Sequence, residues 1–402
     1  MFRTLTSWLA PSSSPRSRRR APLRLEELDP RDVPAAVAWV GGGGTNDWST
    51  AANWSTGTIP TSSDDVYFGE MGGTSMPSDD DIPSLTINSL TESNTYSQGL
   101  TLGGNLSITN TATTYGPMTV EQMKTLTVGT FNMNSTLDLP GTGAGAPASL
   151  NVSLLNVGSA GTATISTPSG YVYLNVSTVT MAAGSTWDAS GTQVNLTGNL
   201  AAATLDLSNT TFNVNGTVSQ VSDMDMTKSA FNQIGGTGPM QLTGTVTVNG
   251  MGSTISAAAV NLTGTGELEL EGGTSTLGIT GNFTNYGEIE FASLNQAVSI
   301  TGNFTQYSTG TLSMQLTGTG ISDRIGATGT ATISGTLDVD GNVTSTTAQF
   351  TLIIAQGGGS GTFTDVTVPE APPGSTESFG WNAAENAFVL IYTPTPPPPP
   401  PG

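Results

Sequence analysis

Ile279-Thr280-Gly281-Asn282-Phe283-Thr284 returns as Ile300-Thr301-Gly302-Asn303-Phe304-Thr305, a step of 302 − 281 = 21 residues. Around this echo a second series keeps a similar beat: Val246/Val248, Leu268/Leu270, Ile289/Phe291, Leu312/Met314 and Leu337/Val339. Its steps are 22, 21, 23 and 25 (268 − 246, 289 − 268, 312 − 289, 337 − 312). Each member reads apolar-polar-apolar, the period-two signature of a strand with one buried face. A unit this short cannot bury its apolar face alone and must stack on the next, which is the logic of a solenoid. Strands and Gly/Asn/Thr turns without a helical pattern make the expected fold all-β, a right-handed parallel β-helix. Gly and Asn at the corners suit turn positions that need positive φ.

Working outward, strand-like phrases begin at Leu85-Thr86-Ile87 and continue through Leu100-Thr101-Leu102, Leu126-Thr127-Val128 and Leu137-Asp138-Leu139. Before Val194 the period blurs, and Gly141–Pro147 and Thr167–Gly170 read as loops projecting from coils. Past Val339 the beat ends. Phe350–Ile354, Gly361-Thr362-Phe363, Phe379-Gly380-Trp381 and Phe388–Tyr392 suggest hairpins closing the far end. Pro396 to Pro401 is a polyproline II rod, a linker or a tail. The expected organisation is a disordered basic segment over 1–36, a Trp-rich cap over 37–84, the β-helix over 85–345, a β cap over 346–393 and a Pro-rich tail over 394–402.

Charge is split along the chain. Seven of the 10 basic residues precede Pro34, against four acids, so that segment carries 7 − 4 = +3 and the remainder −20 − 3 = −23. Only Lys124, Lys228 and Arg324 are basic beyond it. So acidic a body repels phosphate backbones and anionic lipid, which argues against nucleic-acid partners. Cys 0 excludes disulfides and thiolate metal sites, and His 0 removes the commonest general base and metal ligand. No run of eighteen apolar residues exists, so no transmembrane helix is expected. Low charge content and abundant Gly, Ser, Thr and Asn would fit disorder; the alternating register and the β-branched residues favour order.

Three of the 6 tryptophans, Trp39, Trp48 and Trp54, lie within sixteen residues. They either plug the open end of the solenoid, since a terminal repeat exposes an apolar cross-section, or offer a stacking platform to surface glycans. Glu267 and Glu269 precede Glu288 and Glu290 by 21 residues each (288 − 267, 290 − 269) and alternate with the inward Leu268/Leu270 and Ile289/Phe291. The four carboxylates should face solvent on adjacent strands about 4.8 Å apart. They form a solvated face or a weak calcium site built of these side chains and water. Asp79-Asp80-Asp81 and Asp223/Asp225 are further acidic groups, without the spacing of a calcium loop. Paired carboxylates also serve glycoside hydrolysis. A β-helix lyase or hydrolase acting on polysaccharide would, however, need His, Lys or Arg beside its acids, which this body almost lacks.

Leu23-Arg24-Leu25-Glu26-Glu27-Leu28-Asp29-Pro30-Arg31-Asp32-Val33-Pro34-Ala35 resembles the Leu-Glu-x-Leu-Glu-x-Arg-x-x-Pro-Ala box that opens many large bacterial surface proteins, with Asp29 in place of the second Glu. The Trp39…Trp54 stretch, followed by Ile59-Pro60 and Asp64–Phe68, is similar to the opening of autotransporter-like β-helix passengers, and the last seventy residues resemble their closing segment. The resemblance implies export, an extracellular or cell-surface location, and a structural or adhesin-like, non-enzymatic role without cofactors. Its partners would be surface glycans or other cell-surface proteins.

Overall fold

In a computed structural model, residues 35–69, 76–140, 147–158, 163–167, 170–318 and 320–397 are described. The Leu23–Ala35 box (save Ala35), nearly all of the basic segment and the last five tail residues lie outside them, so the disordered ends expected there are not addressed. The alternating patterns become strands throughout, and the one helical feature among the described residues is the short 3-10 turn Ala51–Asn53.

The strands stack into three parallel ladders, A, B and C, visited by the chain in that order. Ladder A begins with Ala35–Ala38, Asp64–Phe68 and Ser89–Glu92. Ladder B begins with Ser78–Asp80, Leu100–Leu102 and Met118–Val120. Ladder C begins with Ser84–Ile87 and the first half of Asn105–Thr114. Leu268, Ile289, Leu312 and Leu337 are consecutive inward rungs of ladder B, paired in parallel register and fully buried. This is the parallel β-helix that the repeat requires.

The same inward file explains why the period blurs upstream. Through Leu100, Met118, Leu137, Ile165, Trp187, Leu205, Met224 and Val246 the steps are 18, 19, 28, 22, 18, 19 and 22 residues. A rung fixes only the residues that pair, and corners absorb the difference. The interior is filled by like on like: Trp187 meets Phe212 at 4.8 Å, Phe212 meets Phe231 at 5.5 Å, and Phe283 meets Phe304 at 6.1 Å between ring centres. The inward-facing Asn285 finds a partner one rung away, its Nδ2 donating to Gln306 Oε1 at 2.8 Å. Outside, side-chain amides stack in the same way. Asn232 donates to Asn213 at 2.9 Å and Asn213 to Asn195 at 2.8 Å.

The two ends depart from the expected segment limits. Ala35 and Ala36, placed with the basic segment, already pair with Asp64 and Asp65. Within the 37–84 cap, Asp64–Phe68 is a rung of ladder A and Asp47 bridges Asp79 in parallel on ladder B. At the far end Ile353–Ala355, Gly359–Gly361 and Asp365–Thr367 still extend all three ladders past residue 345. Only then does the hairpin Ser375–Asn382/Ala387–Pro394 turn antiparallel and close ladder C against Ala348–Ala355. Apolar cross-sections drive both outcomes: a segment that finishes the core does so best by adding backbone hydrogen bonds to it.

Candidate functional site

The outward positions of ladder B carry the charge. Reading one file from rung to rung gives Asp79, Asp138, Asp188, Asp206, Asp225, Glu269, Glu290 and Asp338, with Thr or Ser at every intervening rung. A flanking file adds Glu267 against Glu288. Like charges at adjacent rungs raise one another's proton affinity, and partial burial adds to it. Burial first, then Glu271, Glu290 and Glu267, lifts Glu269 above the usual carboxylate range. Burial first, then Glu288 and Glu267, does the same for Glu290. Asp206 is raised by burial and by Asp188 and Asp225 on either side. Hydroxyls soften the repulsion: Ser313 Oγ donates to Glu288 Oε1 at 3.0 Å.

Ladders A and C are different surfaces. The parallel strands of ladder C hold no Asp or Glu and one charged residue, Arg324, with Glu377 only in the closing hairpin, and ladder A holds acids only in its first rungs, at Asp64, Asp65 and Glu92. The molecule therefore has one acidic face and two largely uncharged ones.

The paired glutamates stand in the expected register, Glu267 over Glu288 and Glu269 over Glu290. Among the described residues no three His, Cys, Asp or Glu side chains are grouped to hold a metal ion. Of the other acidic groups, Asp223 accepts the Thr245 N–H at 3.0 Å and Asp81 accepts the Ser49 N–H at 2.8 Å, both structural roles.

Trp39, Trp48 and Trp54 are buried, at 0, 0 and 2 % exposure. They pack edge to face with each other at 5.1 and 5.4 Å and against Phe68, so none offers a flat face to a sugar. Trp54 Nε1 donates to the Trp48 carbonyl at 2.8 Å, and Asn53, buried beneath the Gly-rich turn, accepts the Gly43 N–H and donates to the carbonyls of Thr45 and Asp47. Of the two expected roles, the geometry builds the plug.

Three carboxylates are interior: Asp80, which the sequence offered only as part of the Asp79–Asp81 acidic group, and Glu92 and Asp323, which it did not single out. Asp80 is fully buried and pushed up to about 7, by burial first and then by Asp81 and Asp79, against the Ile82 N–H and Lys124. Glu92 reaches about 7 through burial, although its Oε2 accepts the N–H groups of Tyr115 and Gly116 at 3.0 and 2.9 Å. Burial pushes Asp323 up to about 6, although its two oxygens take the N–H of Gln296 at 2.8 Å and of Gln315 at 2.7 Å, which pull it down. Asp80 and Glu92 occupy inward positions of alternating strands, the one signal that could have found them.

Surface concavities are shallow. A hollow of about 150 Å³ brings Glu290, Asp338 and Asp340 together with Ser313 and Gln315, but no Lys or Arg lines it. Arg324 lies instead in a separate hollow with Asn295 and Gln349, which no carboxylate lines. A groove of about 380 Å³ runs along the corner between ladders C and A and is lined by Ser107, Thr127, Asn151 and Asn175. No helix among the described residues is long and apolar enough to cross a membrane. The chain matches no known family model and no curated protein.

Proposed function

We propose that this chain is a non-enzymatic, exported cell-surface protein whose β-helix acts as a structural, adhesin-like scaffold. The observation that carries the reading is the division of a long solenoid surface into an acidic face and uncharged hydroxyl- and amide-rich faces. A strongly charged face keeps the solenoid soluble and repels anionic surfaces, while the uncharged faces are left for contact. The segregation of carboxylates from basic groups weighs against polysaccharide cleavage, because the acids in the hollow at Glu290 have no cationic neighbour to bind a uronate or relay a proton. The box at Leu23–Ala35 supports export through its resemblance to surface-protein leaders. Protease treatment of intact producing cells tests the proposal: the chain should be degraded from outside, and its removal should reduce attachment of the cells. Full protection of the chain in intact cells that become sensitive only after lysis would refute it.

A further inference from the structure

The corner groove on ladder C has the composition of a ligand site rather than of a packing defect. Its base is Ile108, Val128 and Val152, and one wall is a single outward file in which Ser107, Thr127, Asn151 and Asn175 occupy successive rungs. The corner itself is kept open by small residues. Gly129 sits beneath the extra residue inserted between Ile108 and Thr111, and a Cβ there would meet the Asn110 carbonyl at 2.8 Å. Ser153 and then Ser177 follow at the same corner one rung at a time.

Beside this wall, on the same outward face, Tyr173 is two residues from Asn175 and Tyr171 four. They are 45 and 40 % exposed, large aromatic surfaces left uncovered on a protein that buries Trp39, Trp48 and Trp54. An exposed tyrosine presents a flat apolar ring with a polar tip. Tyr173 also marks where the amide stack stops: Asn195 pairs with it in register, and the Asn232–Asn213–Asn195 series of donors ends at that rung.

Charge selects the ligand class. None of the groove's lining residues is ionisable, in a body carrying −23. A protein partner would call for a cluster of large apolar anchors, whereas the groove's walls are Ser, Thr and Asn with only the two tyrosines beside them, and a polyanion would call for Lys or Arg. Hydroxyls and amides in register with flanking tyrosine rings match a polyhydroxylated, uncharged chain. We infer that the groove walled by Ser107, Thr127, Asn151 and Asn175 and flanked by Tyr171 and Tyr173 binds a neutral polysaccharide, lying along the solenoid axis across successive rungs. The inference rests on the contact role proposed above and supplies its ligand class.

The test is affinity electrophoresis of the full chain through gels containing dextran, mannan, hydroxyethyl cellulose or, as the anionic control, polygalacturonate. Retardation is expected in at least one neutral gel and not in polygalacturonate. Tyr171→Ala/Tyr173→Ala and Asn151→Ala/Asn175→Ala should each weaken it by about tenfold, the loss of one good contact, with unchanged circular dichroism and melting. Unretarded migration in every neutral gel, retardation only by polygalacturonate, or full retention of binding by both folded variants would overturn the assignment. So would self-association of the chain abolished by the same substitutions, since the groove would then be an interface between copies. Surface display is read separately on intact cells, so binding by the purified chain without display would sink the proposed location and leave the groove's ligand standing.

Discussion

Replacing Glu92 by Gln should make the protein more stable at pH 8 and change little at pH 4.5. In the fold its carboxyl is fully buried, with two backbone N–H donors on Oε2 and no hydrogen-bond partner at Oε1. Burial raises its pKa from 4.5 to about 7. A raised carboxyl pKa means that the folded state holds the proton more tightly than the unfolded chain. The stabilisation is therefore fully present below about pH 4.5 and is lost as pH rises through about 7. A shift of that size corresponds to about 3 kcal/mol. Gln reproduces the protonated acid: its Oε1 can accept from Tyr115 and Gly116, and it cannot ionise. The difference in unfolding free energy between Glu92→Gln and wild type should grow from near zero at pH 4.5 to about 3 kcal/mol at pH 8. Urea titrations across that range measure it, and taking the difference removes the general self-repulsion of the −23 body. Parallel pH profiles for the two proteins would show that Glu92 is solvated and titrates normally, and the reasoning would fail.

Ile289→Asp places a charge among Leu268, Leu312 and Phe291 with no basic partner and should cost several kcal/mol; hydrogen exchange should lose protection mainly in the coils from 268 to 312, because solenoid stability is close to nearest-neighbour. Gly359→Ala would drive a Cβ into the Trp381 ring. The displaced indole should redden its fluorescence, with a loss of about 1–3 kcal/mol. An unchanged spectrum would mean that the closing hairpin does not seat there. Glu269→Gln/Glu290→Gln should raise the melting temperature at low salt but not at high salt, and millimolar calcium should shift wild type and variant equally. A larger calcium shift in wild type would mean that these carboxylates hold the cation.

Much of the fold was legible because rungs are local. The apolar pairs at Leu268, Ile289 and Leu312 declare both their strand and their inward face, and the echo at Gly281 and Gly302 fixes the coil length between them. The same residues placed Glu267/Glu288 and Glu269/Glu290 in register correctly. The longer acidic file was invisible, because Asp188, Asp206 and Asp225 recur at 18 and 19 residues while Asp138 precedes a 28-residue coil; pairing, not spacing, aligns them. The tryptophans illustrate a different limit. Sequence shows that three indoles cluster, but their direction depends on the turn buried around Asn53, a tertiary feature. The groove at Asn151 was hidden for both reasons, being a corner property of four coils with unequal lengths.

Stacking of successive coils in parallel register is the claim on which the acidic face, the groove and the caps all depend. The chain contains no cysteine, so engineered pairs report on it cleanly. Parallel neighbours have Cα atoms about 4.8 Å apart, inside the range that a disulfide spans. Oxidation should close Glu267→Cys/Glu288→Cys and Glu269→Cys/Glu290→Cys rapidly, each as an intramolecular bond mapped by mass spectrometry. The crossed pair Glu267→Cys/Glu290→Cys should stay reduced. Fast closure of the crossed pair with the two straight pairs open would mean antiparallel strands, and would contradict the β-helix.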